Sequence, residues 1–563
     1  MIEKGRMTHA VRTCTAGVVG AILGIVHTGH AGEPAFTETR APTMPVPPSV
    51  PVVPVVPVVP AVGDRAGAPA VPAPSSQPSP TPAPAVPPSR IPAAPFSAAP
   101  PAAPRATGLR SSDPVATSVS ALGSWAASVK ARAAIAVMDV STGSLVAAWD
   151  ERRLVNPASN TKVLTAAAVL DKMGPDYRFT TGLFGQLSKE GVVGPLVLRG
   201  DGDPSLETDE LFELANALRQ QGVRRVDGIL VDQSHFDDVF VPPAFSQQPA
   251  EWAPFRAPVS AVSLERNAVT LNVVPGRAGV AATSWFDPPG FVEVRGSIET
   301  RPAGAGDGAR LTLSPKGAKL EATVAGFVGE GAPRLRFGKR VDDPRLFPGF
   351  VLAEVLREMG IEVRGTVAMG GEKVHARLTY VESAPLAVLV RELGKNSDNF
   401  YAETLLKALG GFLHGAPAHT ADGASGIVEW LGTLGALEPG TRLVNGSGLF
   451  DANRVSARTL AAVLRHAHGS ARIGPDFVAQ LAVGGVDGTL RSRFQRERDA
   501  RIIRAKTGTL DDVVALSGYV LAPPGRSPVA FSFIVEGVTG RHAEARDHID
   551  RCVETIAALL WKR

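Results

Sequence analysis

Ser159 and Lys162 stand three residues apart in the stretch Asn156-Pro157-Ala158-Ser159-Asn160-Thr161-Lys162, which runs into the apolar sequence Val163 to Leu170. Asn-Pro reads as a turn, and the alanine-rich continuation propagates a helix. Side chains at this spacing share one helix face. A hydroxyl beside an amine at a helix start is a nucleophile with its base. The amine must be neutral to act. A solvated lysine, with a pKa near 10.4, is only about 0.04% neutral at pH 7. Bringing that value to about 7 costs on the order of 4.6 kcal/mol, which calls for burial, a nearby positive charge, or both. The positive end of the helix dipole works in the same direction.

Two later stretches carry what such a pair lacks. In Lys395-Asn396-Ser397-Asp398-Asn399, ahead of a helical pattern, Ser397 can relay a proton and the Asn399 amide can hold a substrate amide. In Arg504-Ala505-Lys506-Thr507-Gly508-Thr509, Lys506 supplies a second cation beside Lys162, and Thr507 and Thr509 supply hydroxyls. Gly508 lets a substrate approach the backbone closely. Each stretch alone has a bland reading: a helix-start serine with a surface lysine, an N-cap cluster, a turn into a strand. Together, in this order, they form the Ser-x-x-Lys, Ser-Asp-Asn and Lys-Thr-Gly triple of serine acyl-transfer enzymes. Ser159-x-x-Lys162 is the only Ser-x-x-Lys in the chain.

The elements that must position these groups can be read from periodicity and turn chemistry. A helix over 115–131 leads into a hairpin, Ala134 to Val140 and Leu145 to Trp149, turned at Ser141-Thr142-Gly143-Ser144. From about Phe179 to Arg345, short alternating runs are broken by Gly, Pro and Asp, with one helix at 209–221. Helical patterns return at 350–359, 386–393, 399–413, 421–435, 456–468 and 475–482. Strands at 513–521 and 529–536 and a last amphipathic helix, 543–561, close the chain. This predicts an α/β core in which strands from both chain ends meet in one antiparallel sheet, with helices between them in sequence.

On these residues the chain resembles the low-molecular-mass class C penicillin-binding proteins, D-alanyl-D-alanine carboxypeptidase/endopeptidases of the peptidase S13 family. Supporting stretches are Gly200-Asp201-Gly202-Asp203-Pro204-Ser205-Leu206, Ala257-Pro258-Val259-Ser260-Ala261, Asn445-Gly446-Ser447-Gly448-Leu449 and Gly485-Val486-Asp487-Gly488-Thr489-Leu490. The resemblance implies a multi-domain α/β chain with the serine β-lactamase/penicillin-binding-protein transpeptidase-like fold. It places an antiparallel sheet flanked by helices in 109–178 and 345–563, and mostly β inserted domains in 179–344. It implies Ser159, Lys162, Ser397, Asn399 and Lys506 as catalytic, with Lys395, Thr507, Gly508 and Thr509 binding substrate. Ser397, with Lys395 or Lys506, would pass a proton to the leaving amine, and the Ser159 and Thr509 N–H groups would form the oxyanion hole. Substrates would be D-Ala-D-Ala and D-Ala-meso-diaminopimelate bonds of peptidoglycan stem peptides, and β-lactams would act as covalent inhibitors. A serine β-lactamase or esterase, or an inactive wall-binding protein, are the competing readings of the same fold. The family usually has Asp at Asn445 and Ser-Arg at Phe450-Asp451, departures that bear on fine specificity.

Composition bounds the rest. The chain has 563 residues and a formal net charge of +4, with no long Lys/Arg block, so no nucleic-acid partner is expected. Its two cysteines, Cys14 and Cys552, form no cluster, and His542 and His548 read as solvated helix residues; no metal and no cofactor are expected. Lys4, Arg6 and Arg12 precede an apolar run to Val26 and the small residues Gly29-His30-Ala31, the layout of an export signal over 1–31. Export to the periplasm follows, with membrane-surface association if that segment is retained. Residues 32–108 form a linker rich in Pro and Ala, a polyproline-type spacer reaching on the order of 200 Å at about 3.1 Å per residue.

Overall fold

The computed structural model describes residues 113–374, 376–497 and 500–561; the expected export signal and the Pro-rich segment lie outside them. Asp113 accepts a hydrogen bond from the Val115 N–H (2.8 Å) and Pro114 follows it, a cap and first-turn pair that starts α1 (Pro114–Ser128). Strands β1 (Arg132–Asp139) and β2 (Leu145–Trp149) form the expected hairpin. Helix α2 (Thr161–Met173) is buried everywhere except Asp171 and Lys172, as befits a helix apolar on nearly all sides. Beyond the inserted region come α3 (Leu386–Lys395), α4 (Asn399–His414), α5 (Thr420–Thr433), α6 (Ala457–Gly469) and α7 (Gly474–Gln480). Strands β3 (Ala482–Val483), β4 (Ile503–Leu510), β5 (Val513–Val520) and β6 (Val529–Glu536) precede α8 (His542–Trp561).

The sheet runs β3-β4-β5-β6-β1-β2, antiparallel throughout, so the two chain ends do meet in it. Strands β5 and β6 are buried along their whole length because both sheet faces are covered. Leu516, Phe531, Phe533 and Val535 pack toward α1 and α8. Ala515, Tyr519 and Ile534 pack toward the helical block around α2. Two expectations change here. Arg504 to Thr509 is not a turn leading into a strand but part of β4 itself. His542 and His548 are half-buried rather than solvated: His542 Nε2 lies 2.8 Å from the Leu510 carbonyl, and His548 stacks on Trp125 at 4.7 Å.

The inserted region is larger than its turn-rich stretch suggested. Its five-stranded sheet is ordered 367–369, 229–232, 196–200, 180–184, 377–382. The helices Thr208–Gln220 and Phe347–Glu358 share the core packed on that sheet, with Leu214, Leu218, Val351 and Leu352 fully buried. The helix at 347–358 therefore belongs to the insert, and the boundary expected at 345 falls instead after Glu382. Thr180 pairs with Glu382 in antiparallel strands, so the insert leaves and rejoins the catalytic unit at adjacent points. Truncating the sheet core tests this packing: Phe531→Ala should lower unfolding free energy by about 3–5 kcal/mol, read as a fall in the urea midpoint at unchanged slope.

Candidate active site

Asn156 begins the site. Its Oδ1 accepts from the Ala158 N–H (2.9 Å), and its amide donates to the Phe450 carbonyl (3.2 Å). Ala158 is held at φ +48, and Ser159 lies in a 3-10 turn, Ala158–Asn160, just ahead of α2 rather than in its first α-turn. Gly448, at φ +74, makes room for this turn: a Cβ there would sit 1.9 Å from the Ala158 carbonyl oxygen. Gly508 does the same from β4, where a Cβ would meet the Pro157 oxygen at 3.0 Å. Its missing side chain brings β4 against the nucleophile turn. Asn160 is buried, and with its amide oriented to satisfy all its neighbours it donates to the Lys506 carbonyl (2.9 Å) and accepts from Ser517 Oγ (2.7 Å). The turn carrying Ser159 is thus tied to β4 and β5.

Lys162 is fully buried, and its Nζ has three partners: Ser159 Oγ at 3.1 Å, Asn399 Oδ1 at 2.8 Å and the Ser447 carbonyl at 2.8 Å. The Asn399 amide is oriented by its own donation to the Phe255 carbonyl (3.1 Å), so its oxygen faces Lys162. Two of the three partners can only accept. A neutral amine satisfies them with its two N–H bonds and leaves its lone pair toward the Ser159 hydroxyl, the one partner able to donate. Burial lowers the Lys162 pKa from 10.5 to about 7, against the opposing pull of Glu403 and Asp398. Burial, rather than the second cation expected at Lys506, is the main cause.

Lys506 Nζ donates to Ser397 Oγ (2.7 Å) and to the Thr507 carbonyl (2.7 Å). It too is fully buried, and burial together with the Lys162 charge holds its pKa well below 10.5. Ser397 sits at φ +59, a left-handed conformation that a non-glycine residue keeps only when its surroundings impose it. Asp398 follows as N-cap of α4, accepting from the Tyr401 N–H at 3.1 Å. It also pairs with Arg266 of the insert at 3.0 Å.

The structure therefore brings Ser159, Lys162, Ser397, Asn399 and Lys506 into one hydrogen-bonded cluster. Asn399 orients Lys162 through its Oδ1 and is itself oriented by the Phe255 carbonyl, which takes one of the two N–H groups of its amide. Lys395 is not in the cluster; its Nζ pairs with Asp487 (2.7 Å) and donates to the Leu481 carbonyl (3.1 Å). Thr507 is half-buried, its hydroxyl bonded to that of Thr489 (2.8 Å), and Thr509 is exposed. Strand β3 pairs only with Arg504 and Ala505. From Lys506 onward the outer edge of β4 meets no other strand among the described residues, which leaves a row of main-chain groups open to an extended peptide.

Sequence reasoning missed the residues that shape the loop behind Lys162. Glu403, fully buried one turn after Asn399, accepts from the Gly446 N–H (3.0 Å) and the Ser447 N–H (2.8 Å). It thereby aims the Ser447 carbonyl at Lys162. A carboxylate amid the apolar positions of α4 was the available signal. Asn445 holds the same loop: its amide donates to the Pro243 carbonyl (3.2 Å) and the Leu449 carbonyl (3.1 Å). A carboxylate there would face two acceptors with no proton to offer.

With this geometry in view, the fold matches that of penicillin binding protein 4 (dacB) from Haemophilus influenzae, at a TM-score of 0.64 and 22% identity, over 79% of this chain and 99% of that one. The same protein complexed with a β-lactam matches at 0.61 and 22% identity, with the same coverage. The architecture is the penicillin-binding-protein fold. In sequence the chain is 32% identical over 426 residues to a D-alanyl-D-alanine carboxypeptidase of Actinomadura sp. (strain R39), covering 72% of this chain and 78% of that protein. It is 23% identical over 422 residues to D-alanyl-D-alanine carboxypeptidase DacB of H. influenzae, covering 72% and 86%. Residues 120–559 match the D-Ala-D-Ala carboxypeptidase 3 (S13) family, and the chain belongs to that family of peptidases.

The buried amine has a consequence for stability. The Lys162 value in the folded state, about 7, lies below its ordinary 10.5, so the unfolded chain holds the extra proton between those values. The contribution of Lys162 to stability therefore rises with pH through that window, and below pH 7 the buried charge is a full cost. Lys162→Met removes this dependence. Relative to wild type, the variant should be about 2 kcal/mol better placed at pH 7 than at pH 9, measured by urea unfolding at both values.

Proposed function

We propose that the chain is a serine DD-peptidase that cleaves D-Ala-D-Ala ends and D-Ala-meso-diaminopimelate cross-links of peptidoglycan through an acyl-enzyme on Ser159. The observation that carries this reading is the lone-pair geometry at Lys162, a depressed amine 3.1 Å from Ser159 Oγ. The stem peptide lies extended along the open edge of β4, with its terminal carboxylate at Lys506, Thr507 and Thr509. Ser159 Oγ bonds to the scissile carbonyl carbon as its proton passes to Lys162. Backbone N–H groups of Ser159 and Thr509 hold the oxyanion, each worth about 2.7–4 kcal/mol in comparable sites.

Two neighbouring buried amines disfavour both being charged, and the two acceptors on Lys162 leave its lone pair on Ser159, so the reaction starts from neutral Lys162 with the proton on Lys506. When Lys162 takes the serine proton, its new charge weakens the hold of Lys506 on its own. That proton moves through Ser397 to the leaving amine as the C–N bond breaks. Deacylation runs the relay backwards. Water gives a proton to Ser397 and Lys506 as it attacks the ester, and Ser159 recovers its proton from Lys162, restoring the starting state. β-Lactams acylate the same serine by opening of their ring, and the H. influenzae relative complexed with a β-lactam supports this reading. The export-signal layout of the sequence at 1–31 supports action in the periplasm, and the Pro-rich composition of 32–108 supports a spacer.

Incubation with a fluorescent penicillin, with a diacyl-D-Ala-D-Ala peptide and with a cross-linked muropeptide dimer tests the proposal. Wild type should take a covalent label, release D-Ala and yield muropeptide monomers, and Ser159→Ala should do none of these. A label retained by Ser159→Ala, or rapid label loss without D-Ala release, would sink the peptidase reading. The acylation rate should rise with pH to a plateau with its midpoint near 7, where Lys162 loses its proton. Glu403→Gln, which removes a charge that raises the Lys162 pKa, should move that midpoint downward.

A further inference from the structure

One face of β4 carries more positive charge than the peptidase reaction uses. Residues alternate faces along a strand, so Arg504 lies on the same face as Lys506, about 7 Å further along. Beside it opens a cleft of about 410 Å³, lined by Arg391 of α3, Arg501 and Arg504, with Lys395 and Asp487 at its wall. Among the described residues the cleft has one carboxylate, and it is already taken, since Asp487 pairs with Lys395 at 2.7 Å. Among the described residues, the guanidiniums of Arg391, Arg501 and Arg504 have no ion pair and no side-chain hydrogen bond. Arg504 Nε is buried without a partner. Burial and the Arg501 charge both lower the Arg504 pKa, only partly offset by Asp487.

Arginines that serve only solubility spread into water and away from one another. Here the half-buried Arg504 and the exposed Arg391 and Arg501 line one concavity whose remaining wall is apolar, built by Pro475, Val478, Ala479 and Val483. Such a wall strengthens the repulsion among them, and arginine does not escape by losing its proton. The arrangement is relieved by an oxyanion, whose oxygens match the planar N–H fork of each guanidinium.

We infer that this cleft is an anion-binding site, distinct from the serine site, which takes a carboxylate or a phosphate group between Arg391, Arg501 and Arg504. The site does not depend on acylation of Ser159, so its test does not depend on activity. Thermal unfolding of the full chain is followed while potassium phosphate, or potassium acetate, replaces potassium chloride at constant ionic strength. At least one of the two anions should raise Tm saturably, by about 2–4 °C. A response to phosphate alone assigns the site to phosphate groups, and a response to acetate extends it to carboxylates. In Arg504→Gln the rise should fall by half or more. In Arg391→Gln, altered at an exposed position that folding does not need, it should fall likewise. Because the repulsion is then relieved, either variant should also melt no lower than wild type in chloride. No rise above chloride, or a rise undiminished in Arg391→Gln, would overturn the inference.

Discussion

A buried amine that holds its proton weakly organises this protein. Lys162 has no water to turn to, so each of its hydrogen-bond positions must be met by a fixed acceptor or donor. Asn399, the Ser447 carbonyl and Ser159 meet them, and each comes from a different segment. Those segments in turn require their own supports. The Ser447 carbonyl is aimed by the grip of Glu403 on the loop N–H groups. Asn399 is oriented by the Phe255 carbonyl, and the serine turn is fixed by Asn160 against β4 and β5. The same burial that lowers the amine's affinity for its proton therefore demands the precise shape of everything around it.

The residues of the cluster were legible in the sequence because each lies in a short motif whose chemistry is local. Ser159 and Lys162 needed only a helix start, and Ser397 and Asn399 only a capped helix. Their supports were not legible. Asn160, Glu403 and Ser447 act through contacts between distant segments, and nothing in their own neighbourhoods announces the partner. The strand β4 was misread for a physical reason as well. Lys-Thr-Gly looks like a turn because a lysine is seldom placed on the covered face of a sheet, and here that face is the site itself. Of the two causes the sequence leaves open for a depressed Lys162 pKa, burial and a nearby cation, removal from water does most of the work.

The inserted region shows the complementary limit. Periodicity located the helix 347–358 to within three residues, yet could not say which core would receive its apolar face. That face is generic; only the sheet it packs on assigns it to the insert. Nor could sequence show that the insert touches the chemistry. Arg266, on a left-handed loop of the insert, pairs with Asp398, and Phe255 holds the Asn399 amide. The insert is therefore part of the scaffold of the site as well as an addition to it.

The closure of one sheet by strands from both ends of the chain bears on when this chemistry can begin. Strand β1 pairs with β6, Arg132 opposite Glu536, and the hydrogen bond from Ser517 to Asn160 joins residues 357 positions apart. A growing chain presents Ser159 and Lys162 early, but the strands that bury Lys506 and fix the Ser159 turn follow more than 300 residues later. Until they arrive the lysine is solvated and keeps its proton. The order of synthesis thus leaves the cluster unassembled until those strands are made.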